Sequence, residues 1–372
     1  MLRQALLVAR RGVGFTHPNP MVGAVVVRGG EIVGRGWHRR AGGPHAEIFA
    51  LRQAADRARG STLYVTLEPC AHHGRTPPCV GAIVAAGVRR VVAAVRDPHP
   101  NVRGAGLRAL RRAGVLVQAP LLADEARALN VGYFKAHAEG LPWVTLKLAS
   151  SLDGKIAPAS MRGWLTGPQA VHAAHALRAQ HDAVLIGAGT ARLDDPRLTV
   201  RAARGADPLR VVVSASLDLP VRARLFTAEL AGGTIVATVR PRSGVRGWEG
   251  RRDALERRGV EVWVLPGRGV RVPLRPLLRR LARRSVYHVL VEGGAEMAGS
   301  LLSEKLADEM QLFVAPMVLG DGVSWAAGAR FETGRAPHLL GARVEPVGRD
   351  WLVYGRIAYD VHGNRWRAGA RP

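Results

Sequence analysis

One stretch, His45 to Cys79, constrains this chain more than any other. It reads His45-Ala46-Glu47, an apolar helical run, a strand, and then Glu68-Pro69-Cys70, with Cys79 following after eight more residues. Cys70 and Cys79 are the only two cysteines in the sequence. A thiolate is a soft donor and an imidazole suits zinc, so His45, Cys70 and Cys79 form a candidate three-ligand set. Three protein ligands leave the fourth zinc position to water, which is the catalytic arrangement and not the structural one. Glu47, two residues from His45, is close enough to shuttle protons without being a ligand. Two cysteines can also be a disulfide or two buried thiols, and His-x-Glu arises by chance. Pro-Cys directly after a strand, with no cysteine elsewhere, favours the metal. The order His-x-Glu, Pro-Cys, Cys is the pattern of the zinc deaminases.

The remainder must build more than this site. A single core rarely grows past roughly 250–300 residues, so 372 residues imply two domains. The Gly140-Leu141-Pro142 break divides the chain into 1–140 and 141–362, with an Arg-rich flexible tail at 363–372. No run of 18 apolar residues exists to span a membrane. Met1–Arg11 lacks a long apolar core and a cleavage site. It reads as an amphipathic helix rather than a signal peptide, which places the protein in the cytoplasm, where thiols stay reduced. The net charge of +25 invites a nucleic-acid reading. Against it, only Lys135, Lys147, Lys155 and Lys305 are lysines, and the arginines are spread along the whole length. A compositional bias with a solvated basic surface fits better than a nucleic-acid face. The charge still attracts anionic ligands such as phosphates.

Read in order, residues 2–12 are a helix, and Thr16–Gly23 is a Pro-framed loop holding Asn19. An amide held rigidly there reads the edge of a heterocycle, or else serves an Asx-type turn. Ala24–Arg28 and Glu31–Trp37 form a hairpin about Gly29-Gly30. Helices are expected at Ala46–Arg57, Val80–Ala86, Gly106–Ala113 and Asp124–Asn130, and strands at Thr62–Leu67, Val88–Val95 and Val115–Ala119. Further strands are expected at Trp143–Ala149, Asp182–Ala188, Leu209–Ala215, Thr234–Val239, Val260–Leu265, Val286–Glu292 and Met310–Ala315. Helices fall at Gln169–Gln180, Leu274–Arg283 and Glu296–Lys305. Ser150–Lys155 reads as a turn, Pro158–Pro168 as loop and Arg343–Asp360 as a closing strand pair. Helices alternating with strands imply α/β layers.

A second site is suggested by Val289–Ser300, which is strand, glycine turn, helix start. Such a turn binds an anion at the helix N-terminus or serves backbone geometry alone, and it lacks the full G-x-G-x-x-G. Glu292, at the end of an apolar strand, faces a ligand crevice or solvent. Arg178, Arg197 and Arg201 form a phosphate clamp or are surface residues. Trp164 stacks on a flat ring or covers the core.

Over nearly its whole length the sequence resembles the bifunctional bacterial riboflavin biosynthesis proteins, a pyrimidine deaminase fused to a reductase. The matches are Thr16-His17-Pro18-Asn19-Pro20, Gly42–Glu47 and Thr66–Cys79 in the first half. In the second they are Leu146-Lys147-Leu148, Ser151–Lys155, Asp194–Arg201 and Val291-Glu292-Gly293-Gly294. Nucleoside, cytidine and tRNA-adenosine deaminases place two residues between the paired cysteines, so eight is specific. The resemblance implies a cytidine-deaminase-like three-layer α/β/α domain followed by a dihydrofolate-reductase-like α/β domain. It implies one zinc per chain on His45, Cys70 and Cys79, with Glu47 as proton shuttle, and Asn19, His38, His72 and Arg75 holding the deaminase substrate. It also implies NADPH at Ala149, Trp164, Thr190, Asp194, Gly294, Ala295, Glu296, Met297, Ala298, Gly299 and Ser300. The reductase substrate would lie at Arg162, Arg178, Leu198, Arg201 and Glu292. The implied partner is a small ribosylaminopyrimidine phosphate, with neither membrane nor nucleic acid, in a homo-oligomer. Ser214-Ala215 departs from the usual Asp-Ser, Ala149 from a common glycine, and Arg162 stands where a small polar residue is expected, in a shortened 157–164 loop. Two other classes compete with this reading: an RNA-editing deaminase, and a deaminase whose second half is only structural.

Overall fold

Ala24 and Val26 point to one side of the strand Gly23–Arg28, Val25 and Val27 to the other, and all four are buried. A strand apolar on both faces needs a helical layer on each. The computed structural model describes residues 1–72, 77–158, 163, 165–242 and 247–359. The chain divides into two units, Met1–Gly140 and Leu141–Pro372.

The first unit runs α1 (Leu2–Ala9), β1 (Gly23–Arg28), β2 (Glu31–Trp37), α2 (Ala46–Ala54), β3 (Thr62–Val65), α3 (Cys79–Ala85), β4 (Arg90–Ala93), α4 (Ala105–Arg112), β5 (Leu116–Gln118), α5 (Ala123–Leu129) and α6 (Val131–Glu139). Its sheet has the order β2-β1-β3-β4-β5. β1 is antiparallel to both neighbours, and β3, β4 and β5 are parallel. Arg28 pairs with Glu31 around Gly29 and Gly30, whose φ angles of +58° and +84° suit the two-residue hairpin turn that glycine permits. Ala24, Val26, Leu63 and Val91 pack against Ala50, Ile83 and Leu110 of α2, α3 and α4. Val25 and Val27 pack on the opposite face with Leu2, Ala5 and Ala126 of α1 and α5. The result is the expected three-layer α/β/α domain. On β2, a Cβ at Gly34 or Gly36 would come within 2.2 Å of the Ala50 or Ala46 carbonyl. Only glycine there lets α2 lie so close to the sheet, and this fixes the depth of the helix that carries Glu47.

The second unit runs β6 (Trp143–Ser151), β7 (Lys155–Pro158), α7 (Pro168–Gln180), β8 (Ala183–Gly187), α8 (Ala188–Asp194), β9 (Leu209–Val213), β10 (Thr234–Arg240), α9 (Trp248–Glu256), β11 (Glu261–Arg268), α10 (Leu274–Arg283), β12 (His288–Glu292), α11 (Ala295–Ser303), β13 (Glu309–Ala315), β14 (Gly322–Ser324), β15 (His338–Val347) and β16 (Asp350–Ala358). Nine strands form one sheet in the order β11-β10-β9-β8-β12-β6-β13-β16-β15. They are parallel from β11 to β13, and β16 and β15 close the sheet antiparallel. Leu274, Leu277, Leu278 and Leu281 recur at helical spacing and bury α10 against Leu185, Ile235 and Val289. The other face buries Val184, Val212 and Val236 beneath Ala191, Trp248 and Leu255 of α8 and α9. From β6 the chain steps to β8 and outward to β11. It then returns to insert β12 between β8 and β6. The winding reverses there, and open α/β sheets bind ligands at the strand carboxyl ends beside such a reversal.

Several expectations change. Ser150–Lys155 is not all turn: β6 continues to Ser151, and Lys155 begins β7, which pairs with β14. Loop was expected from Pro158, and Pro158 belongs to β7. The segment after β8 is helical as α8, and α6 and α9 were not expected. The closing strand pair begins earlier, at His338. The tail expected at 363–372 lies outside the described residues.

Candidate functional sites

His45 precedes α2 in an extended conformation, and Cys79 is the first residue of α3. Cys70 lies in the segment after β3 and is tied to α3 by two backbone donors. Val80 N–H donates to the Cys70 carbonyl (3.2 Å) and Cys79 N–H to its sulfur (3.4 Å). His45 Nδ1 lies 3.1 Å from Cys79 Sγ and 3.5 Å from Cys70 Sγ. The three donor atoms fall within 4.8 Å of one another, the spread a single ion needs.

Their charges fit a dication. The Cys70 thiol is drawn down to about 4, chiefly by the hydrogen bond Cys79 donates to it, with His45 and the Cys79 N–H adding to this against burial. Cys79 is pushed up by the same hydrogen bond and by burial. With only one imidazole to balance them, a single sulfur carries charge and the other keeps the proton. A divalent ion among them would let both ionise.

Glu47 is 2% exposed, and its Oε2 has no hydrogen-bond partner among the described residues. Burial pushes its carboxyl above the ordinary range, against the nearby His45. An unpaired carboxylate oxygen in that position is ready for a water or a leaving amine. His38 is buried edge-on to His45, with ring centroids 5.6 Å apart. Its Nδ1 donates to the Pro44 carbonyl (3.2 Å), so Nε2 is left to accept from Asn19 Nδ2 (3.0 Å). Burial lowers the His38 pKa and keeps that neutral form. Asn19, His38, His45, Glu47, Cys70 and Cys79 thus gather in one place. His72 is exposed, and Arg75 lies outside the described residues.

Beneath this group is a residue the sequence did not single out. Glu68 is 4% exposed. Its Oε1 accepts from the N–H groups of Gly106 (3.0 Å) and Leu107 (3.2 Å), and its Oε2 from those of Gly104 (2.9 Å) and Asp97 (3.2 Å). One carboxylate therefore fastens the Cys70 segment to the start of α4. Asp97 in turn accepts from Tyr133 Oη and from His99 N–H, both at 2.8 Å.

In the second unit, Gly293 and Gly294 turn from β12 into α11 with φ of +70° and +80°. A Cβ on either would meet Thr190 Oγ1, at 3.4 and 3.6 Å, so the structure brings Thr190 to the turn. Ala295, Glu296 and Met297 form the first turn of α11. Deeper in the helix Ala298 is fully buried, Gly299 packs against the Ala327 carbonyl, and Ser300 is half-buried. Glu292, 7% exposed, accepts two hydrogen bonds from Arg178, from Nε (2.5 Å) and Nη2 (2.9 Å). Arg178 Nη1 also donates to the Thr199 carbonyl (3.2 Å), and Arg201 Nη1 to Thr199 Oγ1 (3.1 Å). Arg178 and Arg201 thus meet around Thr199, whereas Arg197 pairs with Glu229 at 2.7 Å. Leu198 has its side chain in the core, 2% exposed, and a backbone φ of +54°. Asp194 is exposed at the end of α8, and Ala149 is half-buried on β6. Arg162 and Trp164 lie outside the described residues.

Two further residues complete the charged floor. Lys147 sits opposite Glu292 in the β6–β12 register. Burial lowers its pKa against the pull of Glu292. His175, 5% exposed, accepts from Arg201 N–H at 3.2 Å. Burial also works to raise the Glu292 carboxyl, but Arg178 and Lys147 outweigh it and leave it below the ordinary value. The Ser214 hydroxyl, at the carboxyl end of β9, is buried with no partner among the described residues. A glycine turn at a helix start, an orphan hydroxyl and a cationic floor suit an anionic dinucleotide.

Site and fold together define a metal-dependent deaminase joined to a reductase. Residues 1–95 match the cytidine and deoxycytidylate deaminase zinc-binding region, and residues 142–353 match the RibD C-terminal domain. The chain is 39% identical over 355 residues to the riboflavin biosynthesis protein RibD of Aquifex aeolicus, covering 95% of this chain and 96% of that protein. It is 42% identical over 333 residues to RibD of Escherichia coli, covering 86% and 88%. Acinetobacter baumannii RibD superposes with a TM-score of 0.85 at 38% identity, over 96% of this chain and 98% of that one. A Thermotoga maritima diaminohydroxyphosphoribosylaminopyrimidine deaminase/5-amino-6-(5-phosphoribosylamino)uracil reductase gives 0.82 at 34%, over 96% and 97%. The chain belongs to the RibD family of bifunctional riboflavin biosynthesis proteins.

Proposed function

We infer that the chain performs two consecutive steps of riboflavin biosynthesis on one ribosylaminopyrimidine 5′-phosphate. In the first, an amine on the pyrimidine ring is replaced by the oxygen of water and leaves as ammonia. In the second, the ribosyl group is reduced to a ribityl chain. When bound, zinc supplies an activated water near neutral pH and NADPH supplies the hydride. His45, Cys70 and Cys79 are the residues we assign to the metal. Glu47 takes a proton at Oε2 and hands it to the departing amine. Asn19, fixed through neutral His38, is assigned to the ring edge, His38 and His72 are assigned to the substrate, and Arg75 is assigned to its phosphate end. The observation that carries this reading is the orphaned Glu47 oxygen beside three converging soft and borderline donors.

For the reductase we assign Thr190, Asp194, Ala149, Trp164 and the Gly294–Ser300 turn and helix to the cofactor. Arg162, Arg178, Leu198, Arg201 and Glu292 are assigned to the substrate. Lys147, whose amine burial primes to give up a proton, is the donor we assign to accompany hydride transfer. Cys70 and Cys79 are both free thiols, and no helix of the described residues is long and apolar enough to cross a membrane. We place the protein in the cytoplasm on that support. We also propose self-association. The edge strand β15 leaves Leu340 and Val344 exposed, at 47% and 64%.

The test follows ammonia release and NADPH absorbance together, on purified protein with the diaminopyrimidine ribosylamine phosphate, with and without a chelator. Ammonia followed by NADPH loss is expected, and chelation abolishes the first. Ammonia without NADPH loss refutes the reductase assignment. No ammonia from zinc-loaded protein refutes the substrate, and RNA becomes the next candidate.

A further inference from the structure

The arginines around the reductase crevice are not equivalent. Arg178 pairs with Glu292, Arg197 with Glu229, Arg224 with Asp195 and Arg252 with Asp253. Arg251 does not follow them. It lies half-buried on α9, and its Nη1 donates to the neutral carbonyl of Ser216 (3.2 Å) just past the carboxyl end of β9. No carboxylate faces it among the described residues. A guanidinium moored on backbone keeps a fixed orientation and still has free donors, the form in which arginine recognises phosphate.

Its location matters as much as its charge. β9 and β10 lie on the β8 side of β12, two and three strand spacings away, or about 10 and 14 Å. An adenosine extending from the Gly293-Gly294 turn towards that side passes over their carboxyl ends. A second observation points to an anion there. Arg240, the last residue of β10, sits directly opposite Arg268 of β11, and both are exposed. Two neighbouring guanidinium groups with no carboxylate between them repel, and a bound dianion relieves this. The enzymes that prefer NADH place a carboxylate on the ribose hydroxyl. At the end of β9 this chain has Ser214-Ala215-Ser216, and the nearby Asp218 is engaged by Arg192.

We propose that Arg251, moored on the Ser216 carbonyl, reads the 2′-phosphate of the cofactor's adenosine ribose, with Arg240 adding charge from the neighbouring strand end. The inference rests on the reading of the crevice as the nicotinamide cofactor site. It makes Arg251 a specificity residue, which selects NADPH over NADH and takes no part in the chemistry.

The test is calorimetric binding of adenosine 2′,5′-bisphosphate and of adenosine 5′-phosphate to the full chain, two probes that differ only in the 2′-phosphate. The unaltered protein binds the bisphosphate more tightly. Arg251→Gln weakens the bisphosphate by about 10- to 100-fold and leaves the monophosphate unchanged. Arg252→Gln removes the same formal charge one residue away and leaves both affinities within about twofold, as expected of a partly exposed ion pair. Thermal melts establish that both variants fold. Arg251→Lys keeps the charge without the planar fork, is expected to fall between, and serves if the glutamine variant fails to fold. Equal weakening by the Arg251 and Arg252 variants would reduce the effect to long-range charge and overturn the proposal. Equal binding of the two probes by the unaltered protein would overturn it as well. If neither probe binds, the crevice is not the cofactor site and both readings fall.

Discussion

The Arg178–Glu292 pair offers the sharpest quantitative test of the second unit. The two side chains are 13% and 9% exposed and share two hydrogen bonds, with Lys147 adjacent in register. Removing one partner of a buried pair leaves an uncompensated charge and costs about 3–5 kcal/mol. Glu292→Gln keeps the shape and one acceptor, so it belongs near 3 kcal/mol, whereas Arg178→Met also strips the donor from the Thr199 carbonyl and belongs near 5 kcal/mol. The pair can be lost only once. The double variant should therefore cost about 5 kcal/mol rather than the sum of about 8, a coupling of roughly 3 kcal/mol. At about 2–4 °C per kcal/mol for a unit of this size, the singles melt roughly 6–20 °C lower. Thermal melts of the four proteins of the cycle read this directly. Glu292 titrates below its ordinary 4.5, so the pair's contribution is complete above that pH and is lost as pH falls through the depressed value. Glu292→Gln should abolish that acid loss. Single effects within about 1 kcal/mol, or additivity within about 0.5 kcal/mol, would refute the buried-pair argument.

Other tests reach the rest of the molecule. Glu47→Gln should slow ammonia release by about 10²–10⁴-fold with zinc content unchanged by elemental analysis; loss of zinc instead would make Glu47 a ligand or a structural residue. Gly106→Ala would put a Cβ 1.8 Å from the Pro69 carbonyl, next to Cys70. Zinc stoichiometry should fall well below one per chain, and full occupancy would show that the Cys70 segment moves freely. His181, half-buried with Nδ1 on the Leu177 carbonyl and Nε2 near Thr145 Oγ1, has a pKa held below 6.5 by loss of solvent around the ring. The unfolded chain then binds the extra proton, so stability falls as pH drops below 6.5. His181→Gln should flatten that fall in denaturant melts, and an unchanged slope would refute the assignment.

The deaminase site was legible because its chemistry is compressed into short motifs. His45, Glu47, Cys70 and Cys79 are few, specific residue types, and the helix starts that hold two of them follow from local pattern. The charged floor of the second unit was less legible. Arg178 and Glu292 are 114 residues apart, and their pairing depends on β12 inserting between β8 and β6. Lys147 is the sole charge in the apolar strand Trp143–Ser151, but only the β6–β12 register gives it a partner. His175 on α7 carried no local signal. Among elements, α9 hides in a polar, Arg-rich run, and α8 opens Ala188-Gly189-Thr190 directly after a strand, which reads as a turn. The short β7 exists through pairing with Gly322–Ser324, beyond the reach of local periodicity. Arg197 was left between phosphate clamp and surface residue, and its pairing with Glu229 fits the second, because an arginine-rich chain offers more candidate anion ligands than it uses.

Glu68 has a consequence for how this site can change over time. It fastens the segment entering Cys70 to the start of α4, while Cys79 is set by the first turn of α3. Cys70 is also tied directly to that turn by the Val80 and Cys79 N–H groups, so both ends of the eight-residue connection are held by contacts outside it. The connection does not have to set the distance between the sulfurs. Its length and sequence, including His72 and Arg75, are free to drift with the shape of the substrate while the metal ligands stay in place. A protein built this way can acquire a new substrate preference between its two cysteines without first risking its catalytic ion.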